Sequence, residues 1–260
     1  MFPFRTTAPS ANMPIVTVGL ILANIAVFLF QIDLNPRAEM EFLYTYALVP
    51  AVYTNPELAR HAGLDPTNFW PLITNTFMHG GFLHLILNMW TLWLFGIAVE
   101  GRMARWRYLV FYLLCGTLGS LGHLMFNLDS TVPALGASGA IAGLLGSYSR
   151  LFPGAKVGIV VPIIIIPLFF SVPALAYTVV WFGIQLWQGT SSVGAEGGGI
   201  AWFAHIFGFL AGVILVGPLG GKPWKGPLQK PLPSGLKIRQ GPWSRKDPPR
   251  GGPRRGPWSR

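Results

Sequence analysis

The sequence predicts an all-α polytopic membrane protein: a bundle of six transmembrane helices followed by a disordered, basic C-terminal tail. Of the 260 residues, 52% are hydrophobic and only 11% are charged, whereas soluble domains carry about 25% charged residues. The apolar residues also gather into separate stretches close to the ~20 residues that cross a bilayer. The six stretches are 13–32, 82–99, 106–126, 134–152, 172–187 and 200–219.

These stretches divide the chain into three regions. We expect a short cytoplasmic N-terminus at 1–12, the membrane domain at 13–219 and the Pro/Gly/Lys/Arg-rich tail at 220–260. The first stretch lacks a small-residue cleavage site, which favours a retained helix over a removed signal peptide.

One further apolar stretch, 157–170, is interrupted by Pro162 and Pro167. Proline breaks a helix interior, because it lacks an N–H and clashes with the preceding turn. We therefore expect an interfacial loop or hairpin there.

The charged residues predict the orientation. The loops after the first, third and fifth stretches hold two basic and seven acidic residues, and the opposite side holds seventeen basic and two acidic residues. Basic residues remain on the cytoplasmic side, so both termini are expected in the cytoplasm. A bacterial inner membrane fits the short ends and compact size of the chain, and an organelle membrane is the alternative. The tail repeats Gly-Pro-Trp-Ser-Arg at 241–245 and 256–260; we expect it to attract anionic lipid rather than nucleic acid.

Ser138 stands near the start of the fourth stretch, in the run Leu-Gly-Ala-Ser-Gly-Ala. A serine at a helix opening is often only a cap or a packing residue. The alternative is a nucleophile, because the free N–H groups of a helix N-terminus would stabilise an oxyanion formed beside it.

His205 stands near the start of the sixth stretch. An imidazole within a membrane span is costly unless it has a partner or a function, so it is either a satisfied bundle histidine or a general base facing Ser138. Small residues allow two helices to approach closely, and matching pairs occur in both stretches. These helix-packing glycines are Gly139 and Gly143, and Gly208 and Gly212. Without a membrane-embedded Asp or Glu placed to orient the ring, we expect a dyad.

His84 and Asn88 lie four residues apart in the second stretch and therefore share a helix face. With Ser138 and His205 they are expected about 5–12 Å below the outer surface. They are either interhelical hydrogen-bonding residues or donors to an oxyanion.

Together these motifs resemble the rhomboid intramembrane serine proteases, over about residues 14–217. The resemblance implies that Ser138 is the nucleophile, His205 the general base, and His84, Asn88 and the Ser138 N–H the oxyanion site. It also implies a structural role for Glu100 at the end of the second span. Some members carry a tyrosine four residues after the nucleophile that stacks on the histidine. Here that position is Ala142, so another group must hold the ring.

The predicted function is cleavage of transmembrane segments of other membrane proteins near the extracytoplasmic face. By resemblance, a small residue precedes the cut. The alternatives are a catalytically inactive rhomboid-like protein that binds membrane clients and a small transporter or channel.

No metal or cofactor is expected, because no Cys/His/Asp/Glu grouping has metal-ligand spacing. The Gly/Ser/Thr-rich loop 188–199 is a candidate mobile cap.

Overall fold

The computed structural model describes residues 2–11, 13–163, 166–191 and 201–229. In chain order its helices are α1 (Ile15–Asp33), α2 (Pro36–Tyr46), α3 (Pro50–Thr54), α4 (Pro56–His61), α5 (Pro71–Thr74), a 3-10 turn (Asn75–Phe77), α6 (Phe82–Glu100), α7 (Arg105–Phe126), α8 (Ser138–Leu151), α9 (Ala174–Ser191) and α10 (Trp202–Leu215). Its strands are β1 (Phe2–Thr6), β2 (Lys156–Ile163) and β3 (Ile166–Pro173).

The chain is mostly helical. Among the described residues, α1, α6 and α7 are long and apolar enough to cross a membrane. With 19 residues, α1 is about 28 Å long, close to the thickness of the hydrocarbon core. By contrast, α8 and α10 have 14 residues each, or about 21 Å. Both are shorter than the predicted stretches 134–152 and 200–219. In the fourth stretch the chain up to Ala137 is a loop, and α8 begins at Ser138 itself.

Helix α8 lies inside the bundle, where α6, α7, α9 and α10 surround it. Every residue from Gly139 to Tyr148 is buried. Neighbouring helices rather than solvent or lipid therefore cover α8, and the residue at its N-terminus is placed by packing on several sides.

The glycines of α8 and α10 lie at the contact between these two helices. A Cβ added to Gly208 would overlap the carbonyl oxygen of Gly139, and one added to Gly212 would overlap that of Gly143. The two backbones are therefore in direct contact, which only residues without a side chain permit.

The prediction of an all-α fold is wrong in one respect, because the described residues include a three-stranded antiparallel sheet in the order β1-β2-β3. The described residues of the stretch 157–170 lie in β2 and β3, an antiparallel pair in which Val157 pairs with Val172. Valine and isoleucine favour strands, and the two prolines exclude a helix. The third strand is the N-terminal segment, where Phe2 pairs with Val160.

Glu100 joins the end of α6 to the start of α1. Its carboxylate accepts hydrogen bonds from Val16 N at 3.0 Å, Thr17 N at 2.8 Å and Thr17 Oγ1 at 2.7 Å. The first N–H groups of a helix lack intrahelical partners, and here an acidic side chain of another helix satisfies two of them.

The segment between α1 and α6 is tied to the loop before α8. Leu48 N donates to Ala134 O at 3.0 Å, and Ala134 N donates to Leu48 O at 2.8 Å. This pair of bonds fixes the loop that leads to Ser138.

Residues 220–229, which the sequence assigned to the tail, pack against the helices. Trp224 N donates to Leu151 O at 2.7 Å, and Gln229 N donates to Thr7 O at 2.8 Å. The Arg102 guanidinium lies 5.1 Å from the centre of the Trp224 ring, within cation–π distance. The rest of the tail, 230–260, and most of the candidate cap lie outside the described residues.

Candidate functional site

Ser138 is the first residue of α8, and the loop before it sets its position. Gly136 has φ +128°, a conformation that side-chain-bearing residues rarely adopt. Its N–H donates to Asn75 O at 2.9 Å. The chain therefore turns sharply into α8, so that Ser138 is partly exposed at the helix N-terminus.

His205 lies one turn into α10 and is buried, with 8% of its surface exposed. Its Nε2 is 2.8 Å from Ser138 Oγ, a normal hydrogen-bond distance. The structure thus brings together the hydroxyl and the imidazole that the sequence placed opposite each other. The close contact of the glycines in α8 and α10 accounts for the short distance.

Gln185, in the middle of α9, is a site residue that the sequence analysis missed. Its Oε1 lies 2.6 Å from the other ring nitrogen of His205, Nδ1, and the side chain is 5% exposed. Its position within an apolar stretch could have identified it, because an amide side chain in a membrane span is costly without a hydrogen-bond partner.

Two tryptophans also lie beside the His205 ring. The Trp181 ring is centred 5.9 Å away and the Trp202 ring 6.0 Å away. Together with Gln185, these rings contact His205 from α9 and α10, so these two helices supply the groups that hold the ring in place of a tyrosine at position 142.

His84 and Asn88 project from α6 toward the loop that precedes Ser138. A Cβ built on Gly136 would lie 2.8 Å from His84 Nε2 and 3.7 Å from Asn88 Nδ2. Any larger residue at position 136 would therefore fill the space beside these two side chains.

Both side chains offer donors to that space. His84 Nδ1 accepts a long hydrogen bond of 3.4 Å from Gly80 N, which leaves the hydrogen on Nε2. Asn88 Nδ2 is buried and has no hydrogen-bond partner within the described part of the chain. A buried donor without an acceptor is uncommon and asks for an explanation.

Behind Ser138 lies a small cavity of about 20 Å³, enough room for one water molecule. Asn75, Ser120, His123 and Ser138 contribute to its lining. Asn75 Nδ2 donates to Ser120 Oγ at 2.9 Å. The sequence does not predict Asn75 and Ser120 as site residues, because only their position beside Ser138 gives them significance.

The other histidines differ in their surroundings. His79 is buried beside His84, with the ring centres 5.1 Å apart, and its carbonyl accepts a hydrogen bond of 2.9 Å from Gln31 Nε2. His61 is exposed on α4, away from the site.

The fold and the site therefore define a helical membrane protein with a serine–histidine pair at the N-terminal ends of two closely packed helices. A family model described as the Rhomboid domain matches residues 66–222, more than half of the chain. The chain belongs to the rhomboid family.

Individual relatives agree with this assignment. Rhomboid protein 1, mitochondrial, of Saccharomyces cerevisiae is 29% identical over 218 residues, 82% of this chain and 54% of that protein. Rhomboid protease GluP of Bacillus subtilis is 42% identical over 79 residues, 30% of this chain and 15% of that protein. Presenilin-associated rhomboid-like protein A, mitochondrial, of Danio rerio is 32% identical over 96 residues, 36% of this chain and 25% of that protein. The chain thus spans about half the length of the yeast relative.

Proposed function

We propose that this protein is an intramembrane serine endopeptidase in which Ser138 is the nucleophile and His205 the general base. The observation that carries the proposal is the 2.8 Å contact between Ser138 Oγ and His205 Nε2. A serine hydroxyl is a weak nucleophile until an adjacent base accepts its proton. The partly exposed serine and the buried histidine supply both groups at the start of a helix, where free N–H groups face the reacting carbonyl.

In the first step Ser138 Oγ attacks a peptide carbonyl while its proton moves to His205 Nε2. Negative charge then develops on the carbonyl oxygen. The Ser138 N–H, His84 Nε2–H and Asn88 Nδ2 are the proposed donors to it, and each such donor contributes about 10²–10³-fold to the rate. His205 returns the proton to the leaving amine, which frees the new N-terminus and leaves an acyl group on Ser138.

In the second step water hydrolyses the acyl-enzyme. His205 accepts a proton from the water, the hydroxide attacks the ester carbonyl, and the proton returns to Ser138 Oγ. The cavity behind Ser138 has room for this water and is lined by Asn75 and Ser120, which offer it hydrogen-bonding partners.

The proposed substrates are transmembrane segments of other membrane proteins. Their peptide bonds are protected by helical hydrogen bonds, so cleavage requires a segment that unwinds easily, as glycine-containing helices do. The family assignment supports this class of substrate, because rhomboid membrane proteins act on membrane-protein substrates within the bilayer.

We further propose six membrane crossings by α1, α6, α7, α8, α9 and α10, with both termini in the cytoplasm. The charge distribution supports this orientation. It places Ser138 near the extracytoplasmic face of the membrane, for which we propose a bacterial inner membrane. The basic tail 230–260 would then lie beside the anionic lipid of the cytoplasmic leaflet.

The test is cleavage of a reporter transmembrane helix with a glycine-rich outer half by the purified full chain in liposomes. We expect Ser138→Ala and His205→Ala each to abolish cleavage while the protein stays folded. Cleavage that persists in either purified variant would refute the assignment. If the wild type binds the reporter without cutting it, the catalytically inactive, client-binding alternative is correct.

A further inference from the structure

The two nitrogens of the His205 ring have different partners. Nε2 contacts Ser138 Oγ at 2.8 Å, and Nδ1 contacts Gln185 Oε1 at 2.6 Å. A neutral imidazole carries one hydrogen, and the nitrogen without it is the acceptor. Because an amide oxygen only accepts hydrogen bonds, the hydrogen is on Nδ1, and Nε2 has the free lone pair.

We propose that Gln185 is a positioning residue that holds His205 in the tautomer required of a general base. This inference rests on the proposed function, since a base that accepts the Ser138 proton must do so through Nε2. The remaining members of the site do not select the tautomer. The Trp181 and Trp202 rings restrict the plane of the imidazole, but ring contacts at 5.9 and 6.0 Å do not distinguish Nδ1 from Nε2.

The packing of α9 on α10 explains how Gln185 reaches the ring. Gly189, one turn after Gln185, is buried in this contact. A Cβ on Gly189 would lie 3.2 Å from Ile206 Cδ1 and 3.3 Å from Trp202 Cβ. The absence of a side chain there lets the two helices approach, which brings the amide of Gln185 to Nδ1.

A neutral amide suits this location better than a carboxylate does. In serine proteases of the triad type, a buried aspartate accepts from the base and stabilises the imidazolium. Here the surroundings are membrane-embedded helices, where an ionised side chain is expensive. Gln185 fixes the tautomer without adding a charge. It orients the base as the aspartate of a triad does, but it contributes no carboxylate to the Ser138–His205 pair.

The kinetic test compares three variants of the full chain on the reporter helix. Gln185→Met keeps the length of the side chain but removes the acceptor, and Gln185→Glu keeps an acceptor. Ile184→Met introduces the same residue at the adjacent exposed position of α9 and is the matched control. We expect Gln185→Met to lower kcat about 10- to 100-fold, the effect of losing a buried hydrogen bond to the base, with KM within about twofold.

We expect Gln185→Glu to retain kcat within about tenfold of the wild type and Ile184→Met to match the wild type. An equal loss of kcat in Gln185→Met and Gln185→Glu would show that the hydrogen-bond acceptor at position 185 does not determine kcat, and it would overturn the proposal. Wild-type kcat in Gln185→Met would also overturn it.

The second readout is the tautomer itself, measured by ¹⁵N NMR of the histidine-labelled full chain in micelles. The His205 signals are assigned by their loss in His205→Ala. We expect a predominantly Nδ1–H ring in the wild type and a mixture in Gln185→Met. An Nε2–H ring in the wild type would overturn the proposal, even if Gln185→Met fails to fold.

The two readouts separate this inference from the proposed function. If Ser138→Ala still cleaves the reporter, the proposed function fails whatever Gln185 does. If Ser138→Ala and His205→Ala are inactive but Gln185→Met has wild-type kcat and an unchanged tautomer, only the role of Gln185 fails.

Discussion

Gly208 of α10 lies against the backbone carbonyl of Gly139 in α8, and this contact keeps Ser138 and His205 within hydrogen-bond distance. His205 is one turn before Gly208, and Ser138 is the residue before Gly139. The distance between the two helices at the glycines therefore sets the distance between the two side chains.

Gly208→Ala is expected to separate the helices. Because the added Cβ would overlap the Gly139 carbonyl, we expect a loss of about 1–3 kcal/mol in stability. Displacement of the base by about 1 Å should lower kcat up to ~10²-fold. Thermal unfolding and reporter cleavage measure the two effects.

Gly183→Ala on α9 is the matched control, since a Cβ there has no atom within 4 Å. It should leave turnover at the wild-type rate and should not lower the stability, since alanine favours a helix over glycine. Wild-type kcat in Gly208→Ala would show that the helix contact does not determine the geometry of the site.

Removal of the donors on α6 should impair turnover but not folding. We expect His84→Ala and Asn88→Ala each to lower kcat by about 10²–10³-fold, because each removes one donor to the developing oxyanion. The measurement is single-turnover cleavage, with circular dichroism to verify folding.

The control for α6 is Thr91→Ala. The Thr91 hydroxyl donates to Leu87 O of its own helix at 2.8 Å, so its loss should leave turnover at the wild-type rate. Unchanged rates in both His84→Ala and Asn88→Ala would limit those residues to a packing role.

Loss of the Glu100 carboxylate should lower the stability of the protein rather than the rate of cleavage. Glu100→Ala leaves the Val16 and Thr17 N–H groups without their acceptor, whereas Thr17 Oγ1 still has the Tyr108 hydroxyl at 3.1 Å. We expect a loss of about 2–4 kcal/mol in the free energy of unfolding. Glu100→Gln keeps an acceptor and should lose less. Turnover per folded molecule should stay the same, so a stable but inactive Glu100→Ala protein would contradict this role.

The proposed orientation is open to a direct chemical test. The chain has a single cysteine, Cys115, which is buried. In intact cells a membrane-impermeant maleimide should therefore label Arg60→Cys, in α4 between α1 and α6, and spare Arg105→Cys, at the first residue of α7. Labelling after lysis is the control for reactivity, and the reverse pattern would invert the topology.

The sequence predicted the features that depend on local pattern. Apolar length predicted α1, α6 and α7, and the glycines in the fourth and sixth stretches predicted the contact that brings Ser138 to His205. These signals are readable because helix length and small-residue spacing act within one segment.

The features that the sequence did not reveal depend on distant partners. Strand β1 exists because Phe2–Thr6 pairs with residues more than 150 positions later, and nothing in those five residues identifies that partner. Gln185 is a single amide in an apolar helix, and only the rotation of α9 against α10 places it at Nδ1 of His205. Asn75 and Ser120 are likewise joined across 45 residues.

The most direct test of Ser138 and His205 as nucleophile and base is the reaction of the full chain with a fluorophosphonate, followed by peptide mass spectrometry. We expect one adduct, on Ser138, which is absent in Ser138→Ala and forms much more slowly in His205→Ala. An adduct on a different residue, or no adduct on a folded protein, would contradict the assignment of Ser138 and His205 as nucleophile and base.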